Sequence, residues 1–160
     1  KGITCCDSHQ SDSSVAAMTV TAYTYKASYL YYIGKHDEAL EWFERTLDYC
    51  LLHNDIINAI GVCRNIITIS ILNSTQETGS MLLYKLLPHL STMEDESLKH
   101  TDFALIAAFL LSYDKNMTKS GRQDIEERMK RIYGESWVSQ ATMQLQQIKN
   151  PKQPNIDEFS

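Results

Sequence analysis

Residues 23–54, YTYKASYLYYIGKHDEALEWFERTLDYCLLHN, hold two helical patterns separated by a turn. Before the turn Ala22, Tyr25, Tyr29 and Tyr32 recur at helical spacing, and after it Ala39, Leu40, Phe43, Leu47 and Leu51 do the same. Gly34-Lys35-His36-Asp37 divides them: Gly34 can take the left-handed conformation that ends a helix, and Asp37 can cap the next one. Neither helix can bury its stripe alone, so the segment is expected to fold back on itself as a hairpin.

Working outward, residues 1–12, KGITCCDSHQSD, lack periodicity and are expected to form an arm, with Ser11, Asp12 or Ser13 capping a helix that runs to Ile33. Downstream, DIINAIGVCRNIITISILN (55–73) places Ile56, Ile60, Cys63, Ile67 and Leu72 within a helical period. Its many isoleucines favour a strand, but its length and helical neighbours decide for a helix. Asn73 to Gly79 reads as a polar turn, and MLLYKLLPHL (81–90) as a helix with Met81, Leu82, Leu86 and Leu90 inward and Pro88 kinking or ending it. STMEDES (91–97) reads as a loop whose Glu94, Asp95 and Glu96 begin the next helix, where they favour its dipole. The stretch 98–116 is the most apolar and is expected to be packed on several sides, with Ala104, Ala107 and Ala108 at close approaches. Lys119-Ser120-Gly121 is expected to turn the chain into QDIEERMKRIYG, with Ile125, Met129, Ile132 and Tyr133 on one face. A last helix from Trp137 carries Ala141, Leu145 and Ile148 on one side and glutamines on the other.

Ala27, Leu30, Gly34, Glu38-Ala39, Phe43 and Leu47 resemble the helix-turn-helix signature of tetratricopeptide repeats, in which small residues let paired helices approach and large ones fill between them. Lys26 stands where the family has a large apolar residue, and Thr46 where it commonly has Ala. Gly61 follows Ala27 by 34 residues, the family's repeat length, which would make it the close-packing point of a second unit. The interval from Gly61 to Ala107 is 46 residues, so the units resemble the longer, uneven ones of polarity adaptors, kinesin light chains and bacterial peptide-pheromone receptors. The resemblance implies an all-α, right-handed superhelical array of antiparallel hairpins, a tetratricopeptide-like solenoid over residues 13–149. Its hairpins would span about 13–53, 54–91 and 95–133, with a capping helix at 135–149 and a flexible tail at 150–160.

Composition narrows the function. A chain of 160 residues with 43% hydrophobic content supports a real core. A net charge of −5 with scattered Lys and Arg gives no footprint for nucleic acid, and no apolar run is long enough to cross a bilayer. Four cysteines, Cys5, Cys6, Cys50 and Cys63, do not form the dense framework of a small secreted domain, which points to an intracellular, cytoplasmic setting with the nucleus left open. The chain starts at Lys1 without Met and is expected to be a piece of a longer protein. There is no G-x-S-x-G, phosphate loop or H-E-x-x-H, so the expectation is no enzyme, no cofactor and no metal. Cys50, His53 and Cys63 would leave a zinc site one ligand short.

The expected activity is therefore protein binding, as an adaptor or scaffold. In the resembling family the first helices of successive units line a concave groove that reads a peptide or helix. Carried over, the lining would be Thr21, Thr24, Ser28, Tyr31 and Tyr32 from the first unit and Asp55, Asn58, Val62 and Asn65 from the second. The clamp with which chaperone adaptors hold an acidic C-terminus needs Lys and Asn where Thr24 and Ser28 stand, so that partner class is not expected. Asn58 and Asn65 donate and accept together, which suits a peptide backbone. Two other readings compete: a permanent subunit of a large assembly, and the regulatory end of a larger enzyme.

Overall fold

Three turns of one kind set the order of the first four helices. Gly34, Asn54 and Ser74 all have positive φ (85°, 55° and 57°) and recur at a constant interval of 20 residues. At each, the next amide reaches back to a carbonyl of the preceding helix, Lys35 to Leu30, Asp55 to Cys50 and Thr75 to Ser70, all at 2.8 Å. This left-handed cap satisfies carbonyls that a helix end otherwise orphans.

The computed structural model describes residues 5–150, and among them the chain is all helical with no strand. The helices are α1 (Cys5–Tyr32), α2 (His36–Leu52), α3 (Ile56–Leu72), α4 (Gln76–Tyr84), α5 (Leu87–Leu90), α6 (Asp95–Lys99), α7 (Phe103–Tyr113), α8 (Lys119–Tyr133) and α9 (Trp137–Lys149). Several boundaries differ from the sequence expectation. The chain is already helical at Cys5, ahead of the expected caps at Ser11 to Ser13, and no Gly or Pro from there to Gly34 breaks the helix; residues 1–4 and 151–160 of the expected arm and tail lie outside the described residues. Asp37 sits inside the first turn of α2, with Lys35 at the cap position. The turn expected over 73–79 ends at Thr75, and MLLYKLLPHL is divided between α4 and the short α5, with Pro88 in the first turn of α5, where its missing N–H costs nothing. Lys119-Ser120-Gly121 is the first turn of α8, capped by Thr118, whose Oγ1 accepts from the Gly121 amide at 3.0 Å.

The chain divides into two compact units, residues 1–66 and 67–160. In the first, α1 packs along α2. Ala27, Ala39, Leu47 and Cys50 are completely buried and Phe43 nearly so, while Ile56, Ala59, Ile60, Cys63 and Ile66 of α3 add to the core. The stripe expected to face inward on α1 does not: Tyr25, Tyr29 and Tyr32 are 72%, 63% and 90% exposed. The inner face is instead the one carrying Ala27 and Leu30, because a helix can approach closely where its side chain is a methyl group and not where it is a phenol ring. Leu40 and Leu51 are half-buried. Gly61 is not a close-packing point either; it is exposed, with nothing within 4 Å of where a Cβ would stand, and the small buried residue of this helix is Ala59.

In the second unit α7 is the central helix. Contacts from α4, α8 and α9 reach it, and Leu105 to Leu110 are buried without interruption, as its uniform apolarity predicts. Leu82, Leu86 and Leu90 face the core as expected, but Met81 is 67% exposed, since the buried face of α4 runs through Gly79, Leu82 and Leu83. The tight point is Gly79: a Cβ there would lie 2.8 Å from Ser70 Cβ and 3.3 Å from Phe109 Cζ. Arginines of α8 close the unit by capping other helices. Arg128 donates to the carbonyls of Leu90 (2.7 Å) and Met93 (2.5 Å) and to Asp95 Oδ1 (3.3 Å), while Arg122 donates to the carbonyls of Leu111 (2.9 Å) and Asp114 (3.2 Å). Arg131 Nε adds a 2.6 Å bond to Asp95 Oδ2. Asp95 begins the short α6, which a turn at residues 100–102 separates from α7 where one continuous helix was expected, and it is the anion that joins α6 to α8.

Two glycines of the same chain should respond in opposite ways to Ala. Gly79→Ala should destabilise by about 1–3 kcal/mol through the clash with Ser70, whereas Gly61→Ala should stabilise by about 0.5–1 kcal/mol through helix propensity alone; denaturant titration of each variant measures both signs. The Arg131 and Arg128 hydrogen bonds hold the Asp95 carboxyl below its ordinary range. A depressed carboxylate contributes stability above its unfolded value and loses it as pH falls through the folded one. Asp95→Asn should therefore lower the melting temperature at neutral pH, with the deficit closing below about pH 4 and shrinking in high salt, because the pair is exposed.

Candidate functional site

The residues expected to line a groove all fall within the first unit, and the helices treat them differently. Thr21, Thr24, Ser28 and Tyr31 follow at intervals of three, four and three along α1, so they form one strip. Thr21 is exposed, its hydroxyl donating to the Ala17 carbonyl at 3.0 Å; Thr24, Ser28 and Tyr31 are half-buried. Tyr31 lies edge-on to His36 with ring centres 4.9 Å apart, and Tyr32 is almost fully exposed on the next face round.

On α3, Asp55 caps the helix: its Oδ1 accepts from the Asn58 amide at 3.4 Å and its Oδ2 from Asn58 Nδ2 at 2.6 Å. Asn58 is exposed, but one of its donors is already engaged, and Asn65 is half-buried. Val62 is 4% exposed and belongs to the core, which removes it from any lining. Its neighbours in sequence explain this: the buried set Ala59, Val62, Cys63 and Ile66 is itself a helical stripe.

Cys50 and Cys63 are both free and fully buried. Burial, with nearby Asp55 adding to it, pushes the Cys50 thiol up to about 11, and burial pushes Cys63 higher still. Both stay protonated at neutral pH, so they behave as small apolar side chains and not as nucleophiles. His53, the C-cap of α2, stacks its ring against Tyr49 at 4.3 Å.

One constellation was not anticipated. Trp42 of α2 has Lys26 Nζ 4.0 Å from its ring centre on α1 and the Arg45 guanidinium at 4.6 Å, while Tyr23 meets its ring edge at 5.3 Å and Tyr49 meets Tyr23 at 6.0 Å. The cluster fastens α1 to α2 beside the aliphatic core, with the Lys26 ammonium resting on the indole face. Thr46 fits an alanine's place because its buried hydroxyl donates to the Trp42 carbonyl at 2.7 Å. The signal was present as aromatic residues seven apart, Trp42 and Tyr49, on one face of α2.

In the second unit a cavity of about 120 Å³ lies against Thr101, Asp102, Tyr133, Trp137, Gln140 and Gln144. Ligand pockets for drug-sized molecules occupy about 300–1,000 Å³, so this space is too small for one. Tyr133 is committed to structure there, its hydroxyl donating to the Leu98 carbonyl at 2.7 Å. Among the described residues no group of three or more His, Cys, Asp or Glu is placed to hold a metal ion, and no helix is long and apolar enough to cross a membrane.

No family model, curated protein or solved structure matches the chain. What it does has to be read from its surfaces; α1 exposes Val15, Met18, Tyr25, Tyr29 and Tyr32, and other helices expose Leu52, Met81 and Met143 among others.

The aromatic cluster makes a test of how α1 is held. Lys26→Glu should destabilise the protein by about 1 kcal/mol, since a carboxylate over an indole face is repelled where an ammonium is attracted, and Lys26→Met should be close to neutral. Thermal melts of the two variants side by side check the difference.

Proposed function

We propose that the chain is a protein–protein interaction module, a helical-repeat adaptor or scaffold of the kind its tetratricopeptide resemblance implies. It acts inside the cell, in the cytoplasm or nucleus, on a polypeptide partner and without cofactor or catalysis. The observation that carries this reading is the state of α1. Its inner face is already used by Ala27 and Leu30, yet its outer face keeps three tyrosines, a methionine and a valine in solvent. A continuous stripe of this kind on a folded domain marks a surface made to be covered. Beside it runs the strip of hydroxyl groups, Thr21, Thr24 and Ser28, and on α3 stand Asp55, Asn58 and Asn65, which suit a peptide backbone better than an acidic terminus. The apolar character of the stripe also favours a second reading, a subunit held permanently in a larger assembly.

The groove version is tested by replacing Asn58 and Asn65 with Ala. Asp55 keeps its bond to the Asn58 amide, and Ala is the better helix former, so stability should hold. If both amides bind a peptide, each contributes about 0.5–1.5 kcal/mol, and affinity for a partner identified by capture and mass spectrometry should fall about tenfold in calorimetry at an unchanged melting temperature. Unchanged affinity would move recognition off α3 and onto the α1 stripe.

A further inference from the structure

The outer face of α1 has an order that its exposure alone does not explain. Val15, Met18, Ala22, Tyr25, Tyr29 and Tyr32 follow one another at intervals alternating between three and four residues. That is the seam of a left-handed coiled coil, and it specifies a helix, not an extended peptide, as the occupant. The three tyrosines of the seam each lie two residues beyond a residue that faces α2, Tyr25 from Tyr23, Tyr29 from Ala27 and Tyr32 from Leu30. Two residues turn a helix by about 200°, so the seam faces away from α2 and is open. Val15 is 54% exposed and Met18 69%, and the tyrosines are more exposed on average than either.

The seam is also sorted by size. Its first half is aliphatic or small (Val15, Met18, Ala22) and its second half is entirely tyrosine (Tyr25, Tyr29, Tyr32). We propose that the occupant is α1 of a second copy of this chain, lying antiparallel across a two-fold axis between Ala22 and Tyr25; this rests on reading α1 as an interaction surface but on no particular partner. Antiparallel pairing sets Val15 against Tyr32, Met18 against Tyr29 and Ala22 against Tyr25, and symmetry repeats each layer once. Every layer then holds one ring and one smaller side chain, the large-against-small alternation that close packing asks of facing positions. A parallel pair would set ring against ring at one end and leave a gap at Ala22.

The flanks agree. Ser14, Thr19, Thr21 and Ser28 border the seam without charge, and the one cation, Lys26, comes opposite Thr19 of the other copy and not opposite itself. Nothing in the border repels a second copy. The exposed seam offers on the order of 500 Å² per chain, so two chains would bury about 1,000 Å², the lower limit for a specific interface and the size of a reversible dimer.

Sedimentation velocity on the full chain over a concentration series tests this. Wild type should move from one chain mass to two as concentration rises. Met18→Glu and Tyr29→Lys, both at exposed positions and so expected to keep the wild-type circular dichroism, should each weaken association at least tenfold. An equimolar mixture of the two variants should regain it, because antiparallel pairing brings the introduced carboxylate against the introduced ammonium and leaves a wild-type layer at the other end. A wild type of one chain mass at every soluble concentration, or a mixture no tighter than either variant alone, would overturn the pairing. A monomeric wild type that still bound its captured partner would overturn the pairing alone and leave the interaction module standing.

Discussion

Both units depend on helices meeting where one of them has almost no side chain. In the first, Ala27 on α1 and Ala39 on α2 are completely buried; in the second, Gly79 on α4 sits so near Ser70 and Phe109 that a single added carbon would not fit. Helix axes packed 8–10 Å apart leave little room between backbones, so the contact residue sets the separation and larger neighbours fill the space on either side. Phe43 and Leu47 do this beyond Ala39, and Leu82 and Leu83 beyond Gly79. The large residues can be exchanged for others of like volume, but the small ones cannot.

Polar groups finish what this packing leaves open. At the end of α5 and in the turn after it, Arg128 donates to the carbonyls of Leu90 and Met93 from more than thirty residues away. Arg122 does the same at the end of α7. Arg122 and Arg128 are thereby engaged inside the fold, while Lys119, Lys130 and Arg131 of the same helix stay exposed.

The sequence was most readable where one pattern stood alone. The helices of α7, α8 and α9 followed from unbroken apolarity or a single amphipathic face, and Met129, Ile132, Trp137, Ala141 and Leu145 lie buried as their spacing predicts. It misled where two patterns overlapped. α1 is apolar on opposite sides, and periodicity counted the tyrosines as the stronger stripe, whereas burial chose the smaller Ala27 and Leu30. Gly61 and Gly79 are alike as letters, but only the surroundings of each, set by distant residues, decide that one is free and the other locked. Val62 was misplaced because it was carried over from the resemblance as groove lining, whereas it lies in the buried stripe of Ala59, Val62, Cys63 and Ile66. The arginine caps were invisible because their partners are carbonyls of distant residues, which no local spacing records, and the Trp42 cluster showed only its α2 half, Trp42 and Tyr49, while Tyr23 and Lys26 come from α1. The site therefore remained a list of helix positions in the sequence, of which the structure buries Val62 and leaves Thr21, Tyr32 and Asn58 exposed.

The chain has two tryptophans, and they fall one in each unit with opposite surroundings. Trp137 is buried at 2% exposure, while Trp42 is half-buried with a lysine and an arginine against its ring. Their emission is consequently a built-in pair of reporters: the buried indole emits towards the blue, and the other is shifted by water and by the cations on its faces. Loss of the first follows the melting of α9 on α7, and change in the second follows the parting of α1 from α2, so a single fluorescence trace separates the fates of the two halves without any label.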